Sequence, residues 1–294
     1  MKAAPFAYVR PSSLPEAVAE LGGTGGGGKV IAGGQSLTPV LAMRLARPDT
    51  LIDINAVDGL DRFARRDGFL EIGATVRQRR VEHDPASAAV PLLGMALPWV
   101  GHRELRSRGT VCGSLAHADP AAELPAVACC LAAEIVATGP GGQRRIPARE
   151  FFSGAMTTAL EPDEILTAVR LPVARAGEGF GFAEIARRHG DFALAGVVVA
   201  VRVGGEAVLT GFGVSDRPVT TDVSGVLDEA VRAACGDRGR LAEELGERLA
   251  PVADELVDTE GDAHASGDYR RRLFRVLAGR ELAKAYHRAH EEKA

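Results

Sequence analysis

The stretch Lys29–Leu37, KVIAGGQSL, decides how the chain is read. A β-branched pair, Val30-Ile31, runs into Gly33-Gly34 and then into the polar pair Gln35-Ser36. The following LTPVLAMRL reads as a helix. Strand, glycine turn and helix start is the layout of a phosphate-binding site, because the turn bares backbone N–H groups at a helix N-terminus. Adjacent glycines let a ligand approach the backbone with no Cβ in the way. The stretch lacks the Gly-Lys-Ser/Thr ending of a nucleotide triphosphatase loop, and no nearby lysine serves terminal phosphates. Taken alone, it fits an ordinary tight turn as well as a ligand site.

Working outward, the chain divides into three parts. Residues 1–57 read α-β-α-β. Ser13 and Glu16 have capping-box spacing, with Pro15 tolerated in the first turn, and TLIDIN is a strand. The glycine-rich GGTGGGG (22–28) matches G-x-G-x-x-G, but it follows a helix and precedes a strand, the reverse of a Rossmann-type motif. It reads as a flexible loop. Residues 58–174 open with strand FLEIGA, then a helix whose predicted capping box is Thr75 and Gln78. The helical SAAVPLLGMALPWV, a hairpin turning at GPGGQ, and the strand EILTAVRLP, stopped by Pro172, complete this part. Residues 175–294 carry a hairpin around Gly204-Gly205 and then helices. In the last helix Tyr269, Leu273, Val276, Leu277 and Leu282 are predicted to share the packed face, with the basic residues on the solvated side.

Composition narrows the function. The 294 residues are 46% hydrophobic and 25% charged, which suits about two globular domains, each with its own core. A net charge of -4 argues against nucleic acid or anionic membrane as a partner, since both demand basic surface. No apolar run approaches the roughly 20 residues that span a bilayer. MKAAPFAYVRPSS has no apolar signal core, so a cytoplasmic location is expected. The four cysteines show no metal-ligand spacing, and adjacent Cys129-Cys130 lie in an apolar helical run as small buried side chains. No metal site is expected.

The second informative stretch is RSRGTVCGSLAHADPAAELP, Arg106–Pro125. Gly109, Thr110, Gly113, Ser114, His117, Asp119 and Glu123 crowd a span with few bulky apolar residues. It reads as a loop ending where Asp119-Pro120 make a helix cap and first helical position. Two glycine-and-hydroxyl loops, each feeding a helix, suit one extended dinucleotide held between two subdomains. His117 is the candidate acid/base group, with a structural or cofactor-orienting role as the simpler reading.

These stretches, together with EILTAVRLP and ARRHGDFALAGVVVAV, occur in an order and spacing that resembles the FAD-binding medium subunit of the molybdenum hydroxylases, the family of carbon monoxide and xanthine dehydrogenases. The resemblance covers nearly the whole chain. It implies an α+β fold: two α/β subdomains of an FAD-binding PCMH-type domain (1–57 and 58–174), then a C-terminal domain (175–294) with a small antiparallel sheet and helix bundle. It implies that Ala32, Gly33, Gly34, Gln35, Ser36 and Leu37 wrap the FAD pyrophosphate. Thr110, Gly113 and Ser114 belong to the second flavin loop, with His117 and Asp119 beside it. Glu123 is suited to accept from a ribityl or ribose hydroxyl, and Leu166 to lie against the flavin ring. Asp191 and Phe192 pass near the isoalloxazine.

The same resemblance implies an electron-transfer subunit with no catalytic residue of its own. Electrons arrive from 2Fe-2S clusters on a small partner, after oxidation of substrate at the molybdenum cofactor of a large partner, in a dimer of heterotrimers. They leave through FAD to an external acceptor. The alternatives are a free-standing FAD-dependent oxidase or reductase and a non-catalytic scaffold that has lost FAD. Two residues depart from the family pattern. Cys112 stands where the second loop commonly has glycine, and no lysine occurs near Ala183-Glu184.

Overall fold

The computed structural model describes residues 2–291. A parallel three-stranded sheet has Thr50–Asp53 at its centre, flanked by Ala7–Val9 and Gly28–Ile31. Ile52, wholly buried, pairs with Val9 on one side and Val30 on the other. Parallel strands need a crossover, and helix Leu37–Ala42 supplies the one from Gly28–Ile31 to the central strand. A five-stranded antiparallel sheet follows, in the order Phe63–Arg66, Phe69–Gly73, Ile165–Pro172, Glu134–Gly139, Gly142–Pro147. Its core-facing residues, Leu70, Ile72, Ile135 and Val169, share one apolar cluster with Ile52 of the first sheet and Leu21 of helix Leu14–Gly23. The first two sheets therefore close over a common core.

The third sheet is antiparallel, in the order Glu178–Ile185, Ala195–Arg202, Ala207–Phe212, Val219–Asp222. Helix Gly267–His290 crosses one of its faces so closely that Gly179 and Gly181 have no room for a Cβ: one on Gly181 would sit 2.8 Å from the Glu281 carbonyl oxygen. The opposite face, with Phe180, Phe182 and Phe212, packs on Leu92, Ala96, Ala126, Val127 and Cys130 of the preceding sequence. The two faces of one sheet thus serve two different cores.

Several local expectations hold. Ser13 caps helix Leu14–Gly23, although the reciprocal bond from Glu16 goes one residue back, to the Ser12 N–H at 2.8 Å. Both predicted hairpins form, and the strand Ile165–Pro172 ends at its proline. Others are corrected. GGTGGGG is a hydrogen-bonded turn, with the Gly27 N–H donating to the Thr24 carbonyl at 3.1 Å and Gly28 already in the strand. Thr75 caps nothing. The helix starts at Gln78 behind Arg77, because Gln78 is buried and donates its own N–H to the Gly109 carbonyl at 2.9 Å.

The segment after Gly109 is helix, not loop. Thr110 accepts the Gly113 N–H at 2.9 Å and caps Val111–His117, which ends at left-handed Ala118. Asp119 receives the Ala121 N–H in a turn, and the next helix, Glu123–Cys130, begins after Ala122 without a side-chain cap. In helix Gly267–His290 the predicted packed face holds in part: Leu277 and Leu282 are buried and Leu273 packs against the same core. Tyr269 and Val276 are exposed, while Arg270, Phe274, Ala278, Glu281, Leu282 and Ala285 are buried. Arg270 enters the core because it donates to two carbonyls, Leu194 at 2.6 Å and Gly213 at 2.8 Å, and pairs with Asp262. Small alanines on that stripe let the helix approach the sheet, so contact distance, not residue bulk, selected the face.

Candidate functional site

A cleft of about 560 Å³ opens at the carboxyl ends of the parallel strands, where an open α/β sheet leaves room for a ligand. Ala32, Gly33, Gly34 and Gln35 form one wall. Tyr8, Asp53 and Asn55 come from the ends of the neighbouring strands, and Leu105 and Arg108 from helix Arg103–Arg108. Among the described residues, the N–H groups of Gly33, Gly34, Gln35 and Ser36 donate to no protein acceptor. Gly34 is left-handed, with φ of 72°, and turns the chain into helix Leu37–Ala42. Gly33, Gly34 and Gln35 line the cleft and Ser36 follows them, so bare N–H groups come in succession, the arrangement that binds an anion.

A polar network holds that wall. Asn55 donates to the Ala32 carbonyl at 2.8 Å and to Asp53 at 2.5 Å, and it accepts from Arg77 at 2.6 Å. Arg77 also donates to the Arg108 carbonyl at 2.6 Å. Tyr8 donates its hydroxyl to Asp53, and Arg10 lies 3.7 Å from the same carboxylate. Burial opposes ionisation of Asp53, but the bonds from Tyr8 and Asn55 and the Arg10 charge outweigh it and hold the group below the ordinary carboxylate range. Asp53 therefore stays anionic, and its lone pairs are occupied by donors of the wall that it orients.

The two glycine stretches meet at Gly33. A Cβ there would lie 2.8 Å from the Gly109 Cα and closer still to the Arg108 carbonyl oxygen. Backbone touches backbone, and only glycine permits it. Beyond this contact the second stretch lies inside helix Val111–His117, with Thr110 buried and Gly113 and Ser114 half-buried. The Cys112 side chain points away, its thiol 3.3 Å from the Ile72 carbonyl in the core. His117 ends the helix, half-buried, and Asp119 sits in the turn beyond it. Burial raises the thiols of Cys129 and Cys130 to about 12, which keeps them protonated.

The remaining predicted residues are dispersed around this junction. Ser36 and Leu37 follow the cleft wall into the helix, Ser36 exposed. Glu123 begins its helix almost wholly buried, and burial, with the Asp119 charge adding, pushes its pKa to about 7 against the pull of its own N–H and Arg106. Leu166 lies on strand Ile165–Pro172 in the shared core, beside a β-bulge. Asp191 and Phe192 lie between strands Glu178–Ile185 and Ala195–Arg202, with the Phe192 ring 70% exposed. None of Glu123, Leu166, Asp191 or Phe192 lines the cleft itself. Tyr8, Thr38, Pro39, Asp53, Asn55, Leu105 and Arg108 line it but were not singled out from the sequence. For Asp53 and Asn55 a signal existed: Asp53 ends a strand of a parallel sheet and Asn55 follows two residues on, the place where such sheets bind ligands.

Known proteins share this architecture. Residues 4–174 match the family described as FAD binding domain in molybdopterin dehydrogenase. The chain is 35% identical over 298 residues to the 6-hydroxypseudooxynicotine dehydrogenase complex subunit alpha of Paenarthrobacter nicotinovorans, covering 100% of this chain and 98% of that one. It is 32% identical over 289 residues to the carbon monoxide dehydrogenase medium chain of Hydrogenophaga pseudoflava, covering 96% and 98%. A solved carbon monoxide dehydrogenase from the same organism superposes with a TM-score of 0.88 at 30% identity, over 98% of this chain and 99% of that one. Quinoline 2-oxidoreductase from Pseudomonas putida 86 does so with a TM-score of 0.86 at 32% identity, over 99% and 100%. With the family matched across most of residues 1–174 and the relatives across the full length, this chain belongs to the FAD-binding medium subunits of the molybdenum hydroxylases and is an oxidoreductase subunit.

Proposed function

We propose that this subunit relays electrons from iron–sulfur clusters on a small partner, through its FAD, to an external acceptor, while a large molybdenum partner oxidises the substrate. The observation that carries the reading is the cleft wall itself. Four successive N–H groups, from Gly33 to Ser36, lie without protein acceptors, and Gly33 is packed too closely for any side chain, which fits a pyrophosphate. When bound, FAD supplies the redox chemistry, and the protein supplies position and electrostatics.

The residues then divide by task. Ala32 to Leu37 hold the pyrophosphate through backbone N–H groups, with Arg108 on the cleft wall offsetting its charge. Gln35 is itself braced, donating to the Gly33 carbonyl at 3.2 Å. Cys112 offers its N–H while its thiol faces the core, so the departure from glycine leaves the cofactor side clear. Ser114 offers its hydroxyl. Thr110 and Gly113 shape that turn, since the Thr110 oxygen is occupied by the Gly113 N–H. Glu123 accepts from a ribityl or ribose hydroxyl, Leu166 presents apolar surface to the ring, and Asp191 and Phe192 shield its outer face. His117 and Asp119 orient the cofactor beside the second stretch. No side chain of this chain is required as a nucleophile or general base.

The boundaries near residues 57 and 174 are part of the proposal, supported by sheets that end at Asp53 and Pro172. So are a dimer of heterotrimers and a cytoplasmic location, the latter in keeping with four free thiols and no disulfide. No helix among the described residues is long and apolar enough to cross a membrane.

The test is purification of the native complex with absorption spectroscopy and metal analysis. The expected result is a flavin spectrum, with iron and molybdenum in two further polypeptides. Substrate oxidation by this chain alone, or no flavin after incubation with FAD, would sink the reading. Within the site, Asn55→Ala is expected to weaken FAD affinity about tenfold, near 1.4 kcal/mol, because it frees the Ala32 carbonyl and unties Arg77. Titration by quenching of flavin fluorescence checks it. Unchanged affinity would mean the network does not hold the cofactor wall.

A further inference from the structure

Leu166 faces the core because the ladder on one side of its strand slips by a residue. Along strand Ile165–Pro172, Val169 lies opposite Ile135 and Ala168 opposite Val136, but Leu166 lies opposite Ala137. Thr167 is the extra residue, a β-bulge with no counterpart on strand Glu134–Gly139. Residues directly opposite one another in an antiparallel pair share a face of the sheet. Ile135 and Ala137, two apart, both belong to the shared core, and so do their partners Val169 and Leu166, which are three apart. In an unbroken strand a spacing of three would put Leu166 on the face opposite Val169. The bulge cancels that reversal. It leaves Leu166 in the core packed by Val111, Cys112 and Leu115 of helix Val111–His117, the second glycine stretch.

A hydroxyl, not a glycine, holds the bulge. Thr167 is 5% exposed, and its backbone is not left-handed. Its hydroxyl donates to the Val136 carbonyl at 3.2 Å, where the register shifts. With its one proton so placed, it accepts from the Thr138 hydroxyl, the two oxygens 3.1 Å apart. On its other edge the Thr167 carbonyl accepts the Ala74 N–H at 2.9 Å. The extra residue is therefore tied to the chain on both sides of its strand. Thr138 follows Ala137 and alternates with it, so the hydroxyl pair lies behind the sheet, away from Leu166.

We propose that Thr167 is a positioning residue for the flavin. Its bulge aims Leu166 toward the ring, and its hydroxyl keeps the strand from relaxing into a regular ladder that would turn Leu166 away. The inference rests on the reading of Leu166 as a flavin contact, and it adds how that contact is aimed. Apolar surface contributes to ring binding only at contact distance, so a displaced leucine weakens binding even though Thr167 does not itself touch the cofactor.

The test uses the full chain in its native complex, with FAD removed and then titrated back. The proteins compared are wild type, Thr167→Val, Thr167→Ser, Leu166→Ala and the Leu166→Ala/Thr167→Val double variant. Valine keeps the branched shape and suits a strand, but it leaves the Val136 carbonyl without this donor. Thr167→Val is expected to weaken FAD binding about fivefold, the effect of one hydrogen bond. It should also change the visible circular dichroism of the bound flavin, which responds to groups packed against the ring. Thr167→Ser restores the hydroxyl and should return both readouts to within about twofold of wild type. Leu166→Ala should weaken binding about tenfold, and adding Thr167→Val to it should cost at most about a further twofold. Should Thr167→Val fail to fold, Thr138→Val removes the outer bond of the same hydroxyl pair and should give the same change in dichroism.

A Thr167→Val protein with a lowered Tm but wild-type affinity and dichroism overturns the proposal, leaving Leu166 at the flavin and Thr167 a structural residue. An unchanged dichroism in Thr138→Val does the same where Thr167→Val does not fold. An effect of Thr167→Val that is undiminished in the Leu166→Ala background, or that Thr167→Ser does not reverse, also overturns it. Leu166→Ala without effect on affinity or dichroism overturns the flavin assignment of Leu166, and with it the positioning role.

Discussion

Gly33→Ala is expected to yield a protein that no longer retains FAD and is destabilised by about 3 kcal/mol, at the upper end for overpacking a well-filled site. The added Cβ would sit 2.8 Å from the Gly109 Cα, with the Arg108 carbonyl oxygen closer still. Both neighbours are backbone, and neither can rotate aside as a side chain would. Relief must come from separating the two glycine stretches, which breaks the Arg77 bond to the Arg108 carbonyl and opens the cleft wall. The comparison is Gly34→Ala. There the φ of 72° costs about 1 kcal/mol, but the nearest atom is the Thr38 hydroxyl at 3.1 Å, which can turn away. Thermal unfolding and the flavin-to-protein absorbance ratio check the pair. A Gly33→Ala protein with full flavin and an unchanged Tm would show that the two stretches are not packed backbone to backbone.

Arg106→Met should cost about 3–5 kcal/mol, the range for removing one partner of a buried ion pair. Arg106 is buried, donates to both oxygens of Glu82 at 3.0 Å, and bonds the carbonyls of Val100 at 3.2 Å and Gly101 at 3.1 Å. Methionine replaces the aliphatic stem but leaves a carboxylate and two carbonyls without their donor. The sign of the pH dependence follows from Glu82. The Arg106 hydrogen bonds, working against burial, hold Glu82 below its ordinary value of 4.5. That stabilisation is therefore complete above about 4.5 and is lost as the pH falls through the lower, folded-state value. In Arg106→Met this part of the acid-side loss should disappear, so the mutant and wild-type stabilities should converge on acidification. Chemical denaturation across this pH range measures both effects. A constant difference between the two proteins at every pH would mean that Arg106 acts by packing alone.

Much of the fold was legible because it rests on local chemistry. The Ser13 cap, the Gly204-Gly205 hairpin and the end of a strand at Pro172 depend on a residue and its immediate neighbours. Legibility failed where the decisive partner is remote in the chain. Thr75 and Gln78 have the spacing of a capping box, yet Gln78 turns inward to meet Gly109 and Thr110. The Arg106–Pro125 stretch looks like a loop by polarity, but Thr110 caps a helix over Val111–His117, and its cysteine faces the core. In helix Gly267–His290 Leu277 and Leu282 marked the packed face, but Tyr269 and Val276 did not, since a buried arginine with two carbonyl partners takes a place in that core.

The candidate site divides in the same way. Strand, double glycine and helix at Lys29–Leu37 determined by themselves a turn with bare N–H groups and no Cβ, which suits an anion as well as it suits an ordinary tight turn. The order of the motifs determined the family. Only the tertiary structure decided that Gly33 must be glycine because Arg108 and Gly109 lie against it. It also brought Asn55, Asp53 and Tyr8 together to brace the wall, and buried Glu184 with no partner of its own. The reason is physical: a turn is set by torsions within a few residues, whereas desolvation and backbone contact depend on which distant segment fills the neighbouring space.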